Sequence, residues 1–272
     1  METAAVEDTM VFEPKDYEEQ FDGEAYLEHF YSKEAIKDGT RLCLFALPTF
    51  AALLRKACPP EERLRLLDVG AGPTVYSAVC FRNVVDQIFL SDFLQQNLNH
   101  LDDWVKEKRA FDWRPVIKTI ARCEGQETYP DPCEVMEREA RSAVLKGGVI
   151  RSNVHDKDVL LDLPEKLEPF DAIVSVFCLE SACTEQEEYV NAFANIVSLL
   201  RPGGYLIIGS VIDDDCYTSG INADGRATFF TLLPLTEEQV LSSFAKNKLD
   251  IVHCLSLPNE GVCFLMGRKR IE

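Results

Sequence analysis

A loop with two glycines follows the first strongly apolar run of the chain. The run Leu64–Val69 leads into residues 70–74 (GAGPT), a pattern typical of a strand, a tight loop and a helix. The glycines allow the backbone to turn sharply and a ligand to approach it closely. A dinucleotide-binding loop requires a third glycine where Val75 stands, so that the start of the helix can contact a pyrophosphate. Val75 therefore disfavours an NAD-dependent oxidoreductase.

Acidic residues follow three other candidate strands. Asp92 lies about 20 residues beyond the loop, where a carboxylate can accept hydrogen bonds from ribose hydroxyls, or can cap the next helix through Asn97. S-adenosylmethionine has a ribose and a sulfonium but no phosphate, so it suits this loop better than a dinucleotide. Glu180 follows one strand and Asp213–Asp215 follow another, and we expect one residue of that acidic run to matter.

The elements that position these residues alternate between strand and helix. This order predicts an α/β fold with a doubly wound, mostly parallel sheet that binds ligand beyond the carboxyl ends of its strands. Residues 122–147 interrupt the pattern and are predicted to form a surface insertion. The predicted strands are 64–69, 84–90, 149–154, 170–177 and 205–210, with a closing hairpin at 251–257 and 262–268; the predicted helices include 95–108 and 186–200, and two more precede the first strand.

Composition excludes several classes of protein. The formal net charge of −18 over 272 residues repels phosphate backbones, so we expect no nucleic acid partner. The apolar runs fall short of the roughly 20 residues that cross a bilayer, so we expect no membrane partner, and the N-terminus lacks the features of a signal peptide. The ten cysteines lie in apolar contexts without CxxC spacing and the four histidines are far apart, so we expect packed thiols and no metal. These features predict a cytoplasmic monomer.

The N-terminus is crowded with acidic residues. This composition is typical of a solvated segment, so residues 1–20 are predicted to form a flexible lead and residues 21–272 a single domain.

Five segments together resemble one family. They are LLDVGAGPTVY, FLSDFLQQN, FDWRPV, VFCLESAC and LLRPGGYLIIG, and they are similar to segments of the small-molecule N-methyltransferases typified by nicotinamide, phenylethanolamine and indolethylamine N-methyltransferases. The resemblance runs from about Tyr26 to Lys269. It implies a seven-stranded, Rossmann-like class I methyltransferase fold with an N-terminal helical lid, and S-adenosylmethionine as cofactor.

The resemblance also implies roles for individual residues. Asn153 stands where the family often has Asp, and its amide oxygen can still accept a hydrogen bond from the adenine amino group. The implied cofactor-binding residues are Tyr26, Tyr31, Gly70, Ala71, Gly72, Thr74, Tyr76, Asp92, Phe93, Asn97, Asn153, Val154 and Val176.

The acceptor side differs more from the family. Glu180 and Asp213 match positions that phenylethanolamine N-methyltransferase directs at its amine, which implies catalytic roles as proton acceptors or ammonium ligands. Ser210 and Tyr217 are the implied substrate-binding residues, and Ser210 replaces an Asp that holds nicotinamide in the family. The loop Asn222–Thr228 is longer than in the relatives, and the turn before Gly261 is shorter.

These comparisons predict transfer of a methyl group from S-adenosylmethionine to the nitrogen of a small amine. A pyridine or other heterocyclic nitrogen, such as that of nicotinamide, is the alternative acceptor. A third alternative is a non-catalytic relative that binds S-adenosylmethionine as a sensor or scaffold.

Overall fold

A seven-stranded sheet forms the centre of the structure, a computed structural model that describes residues 11–38, 42–58, 64–108, 111–126, 130–163, 167–222 and 225–271. Its strands are β2 (Arg65–Val69), β3 (Gln87–Asp92), β4 (Gly148–Arg151), β5 (Phe170–Val176), β6 (Leu200–Val211), β9 (Leu249–Leu257) and β10 (Val262–Lys269). The spatial order is β4-β3-β2-β5-β6-β10-β9, with β10 antiparallel to both of its neighbours and the first five strands parallel. This confirms the predicted doubly wound, mostly parallel sheet, whose order reverses between β2 and β5.

Helices cover both faces of this sheet, which explains why its central strands are continuous apolar runs. One face packs against α4 (Cys43–Ala57), α5 (Tyr76–Phe81), α6 (Gln95–Val105), α7 (Arg114–Cys123) and α8 (Cys133–Gly147). The other face packs against α9 (Leu179–Ala182), α10 (Gln186–Ser198) and α11 (Glu237–Lys246). Within the described residues, the helices include none that is both long and apolar enough to cross a bilayer.

The prediction of a surface insertion at 122–147 is wrong for its second half. There α8 is the last of three helices that the described residues form between β3 and β4, and it packs against β3 and leads directly into β4. Its charged residues face solvent, but its apolar residues recur every three or four positions and are buried. These buried residues are Cys133, Met136, Ala140, Ala143 and Val144.

A second, three-stranded sheet lies beside the first and was not predicted. Its strands β1 (Val11–Phe12), β7 (Cys216–Ile221) and β8 (Ala227–Thr231) lie in the order β1-β8-β7. We call residues 212–235, which leave the main sheet after β6 and contain β7 and β8, the arm. Of the predicted long loop Asn222–Thr228, residues 223 and 224 lie outside the described part of the chain.

The N-terminal part of the chain crosses from the small sheet to the large one. Residues 11–21, here called the strap, contain β1, a 3₁₀ turn at Pro14–Asp16 and α1 (Tyr17–Gln20). Residues 11–20 therefore have defined contacts where a flexible lead was expected: β1 pairs in parallel with Phe229–Phe230, and Tyr17 stacks on Phe230 at 4.2 Å between ring centroids. Residues 1–10 lie outside the described residues, and the division into lead and domain stays a prediction.

Two further helices, α2 (Gly23–Tyr31) and α3 (Lys33–Asp38), follow the strap. The start of α2 is fixed because Asp22 Oδ1 accepts a hydrogen bond from the Ala25 amide at 3.0 Å. A Cβ atom on Gly23 would lie 3.2 Å from the His100 ring, so this glycine lets α2 approach α6 closely. The approach places the tyrosines of α2 over the carboxyl edge of the main sheet.

Candidate active site

A cavity of about 390 Å³ opens at the carboxyl edge of the sheet, beside the point where the strand order reverses. Its wall is formed by the loops after β2, β3, β4 and β5, together with the strap, α2 and β7. Most of the residues predicted to form the site line it, namely Tyr26, Gly70, Ala71, Gly72, Tyr76, Asp92, Phe93, Asn97, Asn153, Val154, Val176 and Tyr217.

The glycine loop turns sharply and leaves room for a ligand beside its backbone, as its sequence predicts. Gly70 and Gly72 have φ angles of +72° and +61°, a region that other residues rarely adopt. A Cβ atom on Gly70 would collide with the Cys178 side chain, whereas one on Gly72 would meet no atom of the described residues within 4 Å apart from its chain neighbours. Gly72 therefore presents bare backbone to the cavity, and Gly70 is needed for packing against the loop after β5.

Asp92 connects the glycine loop to α6. Its Oδ2 accepts a hydrogen bond from the Gly72 amide at 2.8 Å, and its Oδ1 accepts bonds from the Leu94 amide at 2.9 Å and from Asn97 Nδ2 at 3.0 Å. The bonds to Leu94 and Asn97 tie Asp92 to the start of α6, although its carboxylate does not form a side-chain cap on the amides of that helix. A carboxylate has about four acceptor positions, so Oδ2 retains capacity for one more donor.

Burial governs the charge of Asp92 and of its neighbour Asp68. Burial raises the pKa of Asp92, and hydrogen bonds led by the one from the Leu94 amide partly offset the rise. Asp68, at the end of β2, is buried beneath the loop and accepts a hydrogen bond from the Ser77 hydroxyl. Burial is also the main reason that the pKa of Asp68 rises to about 7; the bond from Ser77 lowers it and the nearby Asp92 adds to it.

The donors and acceptors of this part of the wall fit an adenosine group. Asn97 Oδ1 is buried and has no hydrogen-bond partner within the described residues, so it can accept a bond from a hydroxyl. Phe93 presents a partly exposed ring, and Val154 an aliphatic surface, on which a flat base can lie.

The remaining wall is aromatic. We call Tyr17, Phe21, Tyr26, Phe177 and Tyr217 the aromatic wall. The Tyr17 and Tyr217 hydroxyls are 2.9 Å apart and hydrogen-bonded, which joins the strap to the arm across the cavity. Burial raises the pKa of both phenols above 10, so they stay neutral and can donate and accept hydrogen bonds.

Glu180, Asp213 and Ser210 were predicted to meet the acceptor, and the structure does not bring them to the cavity wall. Glu180 is 1% exposed, and its Oε1 accepts a hydrogen bond from the Val211 amide at 2.7 Å. Burial raises the pKa of Glu180 to about 7. Ser210 is 1% exposed and faces the protein interior, whereas Asp213 is exposed, with its backbone amide bonded to the Leu235 carbonyl at 2.8 Å. The two carboxylates therefore do not converge on one point of the cavity.

Two predicted cofactor-binding residues lie behind the wall. Tyr31 is 3% exposed and packs against Tyr76 with ring centroids 5.5 Å apart. The Thr74 hydroxyl donates a hydrogen bond to the Ala71 carbonyl at 2.7 Å, so it shapes the glycine loop from inside. Both residues support the wall without forming its surface.

Sequence reasoning missed several residues of the wall. Tyr17 lies in the acidic segment that was interpreted as a lead, and Phe21 is the first residue after it; two aromatic residues in an acidic stretch were the available signal. Phe177 was also missed. It has a φ of +56°, and its amide donates a hydrogen bond to the Gly209 carbonyl at 2.7 Å. The turn at Phe177 places the Cys178 side chain against Gly70. His155 and Ser181 also line the cavity.

Comparisons with known proteins agree with this geometry. The profile of the NNMT/PNMT/TEMT family matches residues 9–270. Nicotinamide N-methyltransferase of Caenorhabditis elegans is 31% identical over 210 residues, which cover 75% of this chain and 74% of that protein. Phenylethanolamine N-methyltransferase of Homo sapiens is 32% identical over 185 residues, covering 67% and 61% respectively. A solved structure of magnesium protoporphyrin IX methyltransferase from Synechocystis PCC 6803 with bound SAM shares the fold, with a TM-score of 0.57, 94% coverage of each chain and 11% identity.

Proposed function

This chain belongs to the NNMT/PNMT/TEMT family of S-adenosylmethionine-dependent N-methyltransferases, and on that premise we propose that it methylates a nitrogen atom of a small amine. The observation that carries the proposal is one continuous cavity in which the glycine loop and Asp92 lie at one side and the aromatic wall at the other. The first part suits the cofactor, and the second suits a small organic acceptor.

We assign the cofactor to the glycine loop and its neighbours. Asp92 and Asn97 would accept bonds from the ribose, and Gly72 would let the methionine part approach the backbone. Phe93, Asn153 and Val154 would surround the adenine. The cofactor supplies a methyl group on a sulfonium, which an in-line nucleophile displaces, so the protein contributes orientation and exclusion of water.

We assign the acceptor to the aromatic wall. Aromatic faces attract cations, so Tyr17, Tyr26 and Tyr217 would stabilise the positive charge that the reaction moves from sulfur to nitrogen. The Tyr17 and Tyr217 hydroxyls offer acceptor positions for an N–H group. The proposed mechanism gives Glu180 no contact with the acceptor, because its carboxylate bonds to Val211 instead.

An amine must lose its proton before it can attack. An aliphatic ammonium has a pKa near 10, so most of the amine is protonated at neutral pH and has no free lone pair. The neutral fraction would react, and the proton would leave for solvent before the cavity closes. Turnover of amines is accordingly expected to rise with pH.

A heterocyclic nitrogen is the second candidate acceptor. It is favoured by the position of the predicted carboxylates, which lie outside the cavity wall, because a pyridine nitrogen needs no base to remove a proton. Ser210 also lies outside the wall, so its difference from the family argues less strongly against nicotinamide.

The test is production of S-adenosylhomocysteine with a panel of aliphatic amines, arylalkylamines and pyridines between pH 7 and 9. With an amine acceptor, kcat/KM should rise up to about 10-fold per pH unit as the neutral form accumulates. With a pyridine it should stay nearly constant. Tyr217→Phe should raise the KM of the acceptor, whereas Tyr205→Phe, on the sheet away from the cavity, serves as the control. Cofactor binding in calorimetry without any product would support the non-catalytic alternative.

A further inference from the structure

The arm supports one side of the cavity but lies outside the main sheet. It provides Tyr217 to the aromatic wall, and its strand β8 pairs with β1 of the strap. Two backbone hydrogen bonds join the first residues of the arm to its last residues. The Asp213 amide donates to the Leu235 carbonyl at 2.8 Å, and the Leu232 amide donates to the Asp215 carbonyl at 2.7 Å. The position of Tyr217 therefore depends on how the base of the arm is held.

Glu180 contacts the chain at both ends of the arm. Its side-chain Oε1 accepts a hydrogen bond from the amide of Val211, the residue before the arm, at 2.7 Å. Its backbone carbonyl accepts a hydrogen bond from the amide of Leu233, near the end of the arm, at 2.8 Å. One residue thus joins the start and the end of the arm to the loop after β5.

The register of the sheet explains why a side chain is needed at this point. The pairing of β5 with β6 ends at Val176 and Gly209, so Val211 has no β5 partner. An amide shielded from water is destabilising when it has no acceptor. The Glu180 carboxylate occupies the place that the next residue of β5 would have taken, and so extends the ladder by one bond.

The surroundings of Glu180 argue against a charged role. Its side chain is buried, and within the described residues no cation lies within 4 Å of its carboxylate. Glu180 Oε2 has no hydrogen-bond partner within the same residues. A buried carboxylate without a cation is unfavourable when ionised, which agrees with its raised pKa of about 7.

We propose that Glu180 is a positioning residue that clamps both ends of the arm to the sheet edge, and so holds Tyr217 and the docking site of the strap in place. The effect on catalysis rests on the proposed function, whereas the clamp itself does not. A neutral side chain with the same oxygen can perform this task, but an apolar one cannot.

The variants Glu180→Gln and Glu180→Leu distinguish a role of Glu180 as a clamp from a role as an ammonium ligand. Gln keeps an oxygen for the Val211 amide, so the KM of the acceptor and the hydrogen exchange of residues 11–21 and 211–222 should stay within about 3-fold of the wild type. Leu removes that oxygen, so exchange in these segments should speed up and the acceptor KM should rise about 10-fold or more, with cofactor affinity changed less. Glu137→Leu, which removes a carboxylate that bonds to Trp104 and Arg141 on the opposite face of the sheet, is the control.

Loss of amine turnover by 10-fold to 1000-fold in Glu180→Gln, with unchanged exchange in the arm, would overturn the clamp and identify an ammonium ligand or base. Unchanged arm exchange in Glu180→Leu would also overturn it. The Gln variant decides between the two roles even when the Leu variant does not fold. If no acceptor is turned over, the proposed function fails, and exchange of the arm alone decides the clamp.

Discussion

Asp92 shows how one side chain can organise a site. It holds the Gly72 amide, the Leu94 amide and the Asn97 side chain, and these groups belong to two different elements of the wall. The carboxylate therefore fixes the shape of the proposed ribose site as well as offering an acceptor to the ligand.

Asp92→Ala should weaken binding of S-adenosylmethionine by about 1.5–3 kcal/mol, because it removes charge-assisted acceptors and leaves the three donors unpaired. Isothermal calorimetry measures the change. Asp86→Ala is the matched control, since Asp86 precedes the same strand and pairs with Lys146 at the opposite edge of the sheet. A folded Asp92→Ala protein with wild-type affinity would refute the ribose assignment.

Individual site residues could be predicted where the backbone conformation or the position after a strand restricts which residue type fits. Gly70 and Gly72 have positive φ angles, and Asp92 follows a strand at the expected spacing. Glu180 could not be predicted in this way, because its type and position fit both an ammonium ligand and an amide acceptor. The difference lies in the register of β5 against β6, which the sequence does not reveal.

Among the elements, the strap and α2 are the part of the wall that we predict to move. The strap contacts the arm through Tyr17 and the short strand β1, and α2 carries Tyr26 at the wall and Tyr31 behind it. Few buried apolar residues hold these segments, which is typical of regions that open locally.

Binding of S-adenosylmethionine should slow hydrogen exchange in residues 11–21 and in α2, because opening these segments would release the cofactor. At a cofactor concentration of 100 times Kd, the slowing should approach about 100-fold. Peptides from β9 and β10, which lie away from the cavity, provide the reference within the same experiment. Equal exchange with and without cofactor would exclude a lid formed by these segments.

The strands β2, β3, β5, β6 and β10 of the main sheet were predictable because each is an apolar run whose residues are mostly buried. The small sheet was not, because its strands are short and mixed in polarity, and β1 finds its partner at the far end of the chain. The helix α8 was interpreted as a surface piece because of its charged residues, although its apolar spacing carried the correct signal. Short elements that depend on distant partners are therefore the least predictable from sequence.

For the molecule as a whole, buried carboxyl groups determine how stability changes with pH. The pKa of Asp68 is about 7 in the folded protein, against about 4 in an unfolded chain. Between these values the folded state keeps a proton that the unfolded state releases. Stability therefore falls as the pH rises from about 4 to 7, and the contribution of Asp68 is fully lost above this window.

Asp68→Asn should flatten the fall in unfolding free energy between pH 5 and 7, by up to about 1.4 kcal/mol per pH unit, because an amide does not titrate. Urea unfolding at several pH values measures the slope. The exposed Asp131 is the control: its pKa is lowered to about 2, mainly by its contact with Cys133, so Asp131→Asn should change the slope of stability against pH only below about pH 4 and leave the slope between pH 5 and 7 unaltered. Parallel curves for wild type and Asp68→Asn would contradict the assignment.

The bond between Tyr17 and Tyr217 joins residues that are 200 positions apart in the chain. During synthesis at about 5–20 residues per second, the strap leaves the ribosome roughly 10–40 seconds before its partner exists. The glycine loop and the first strands can fold in that time, but the cavity cannot yet be closed. The sheet and the glycine loop can thus form before the cavity does. The strap is synthesised first but is among the last segments to reach its native contacts.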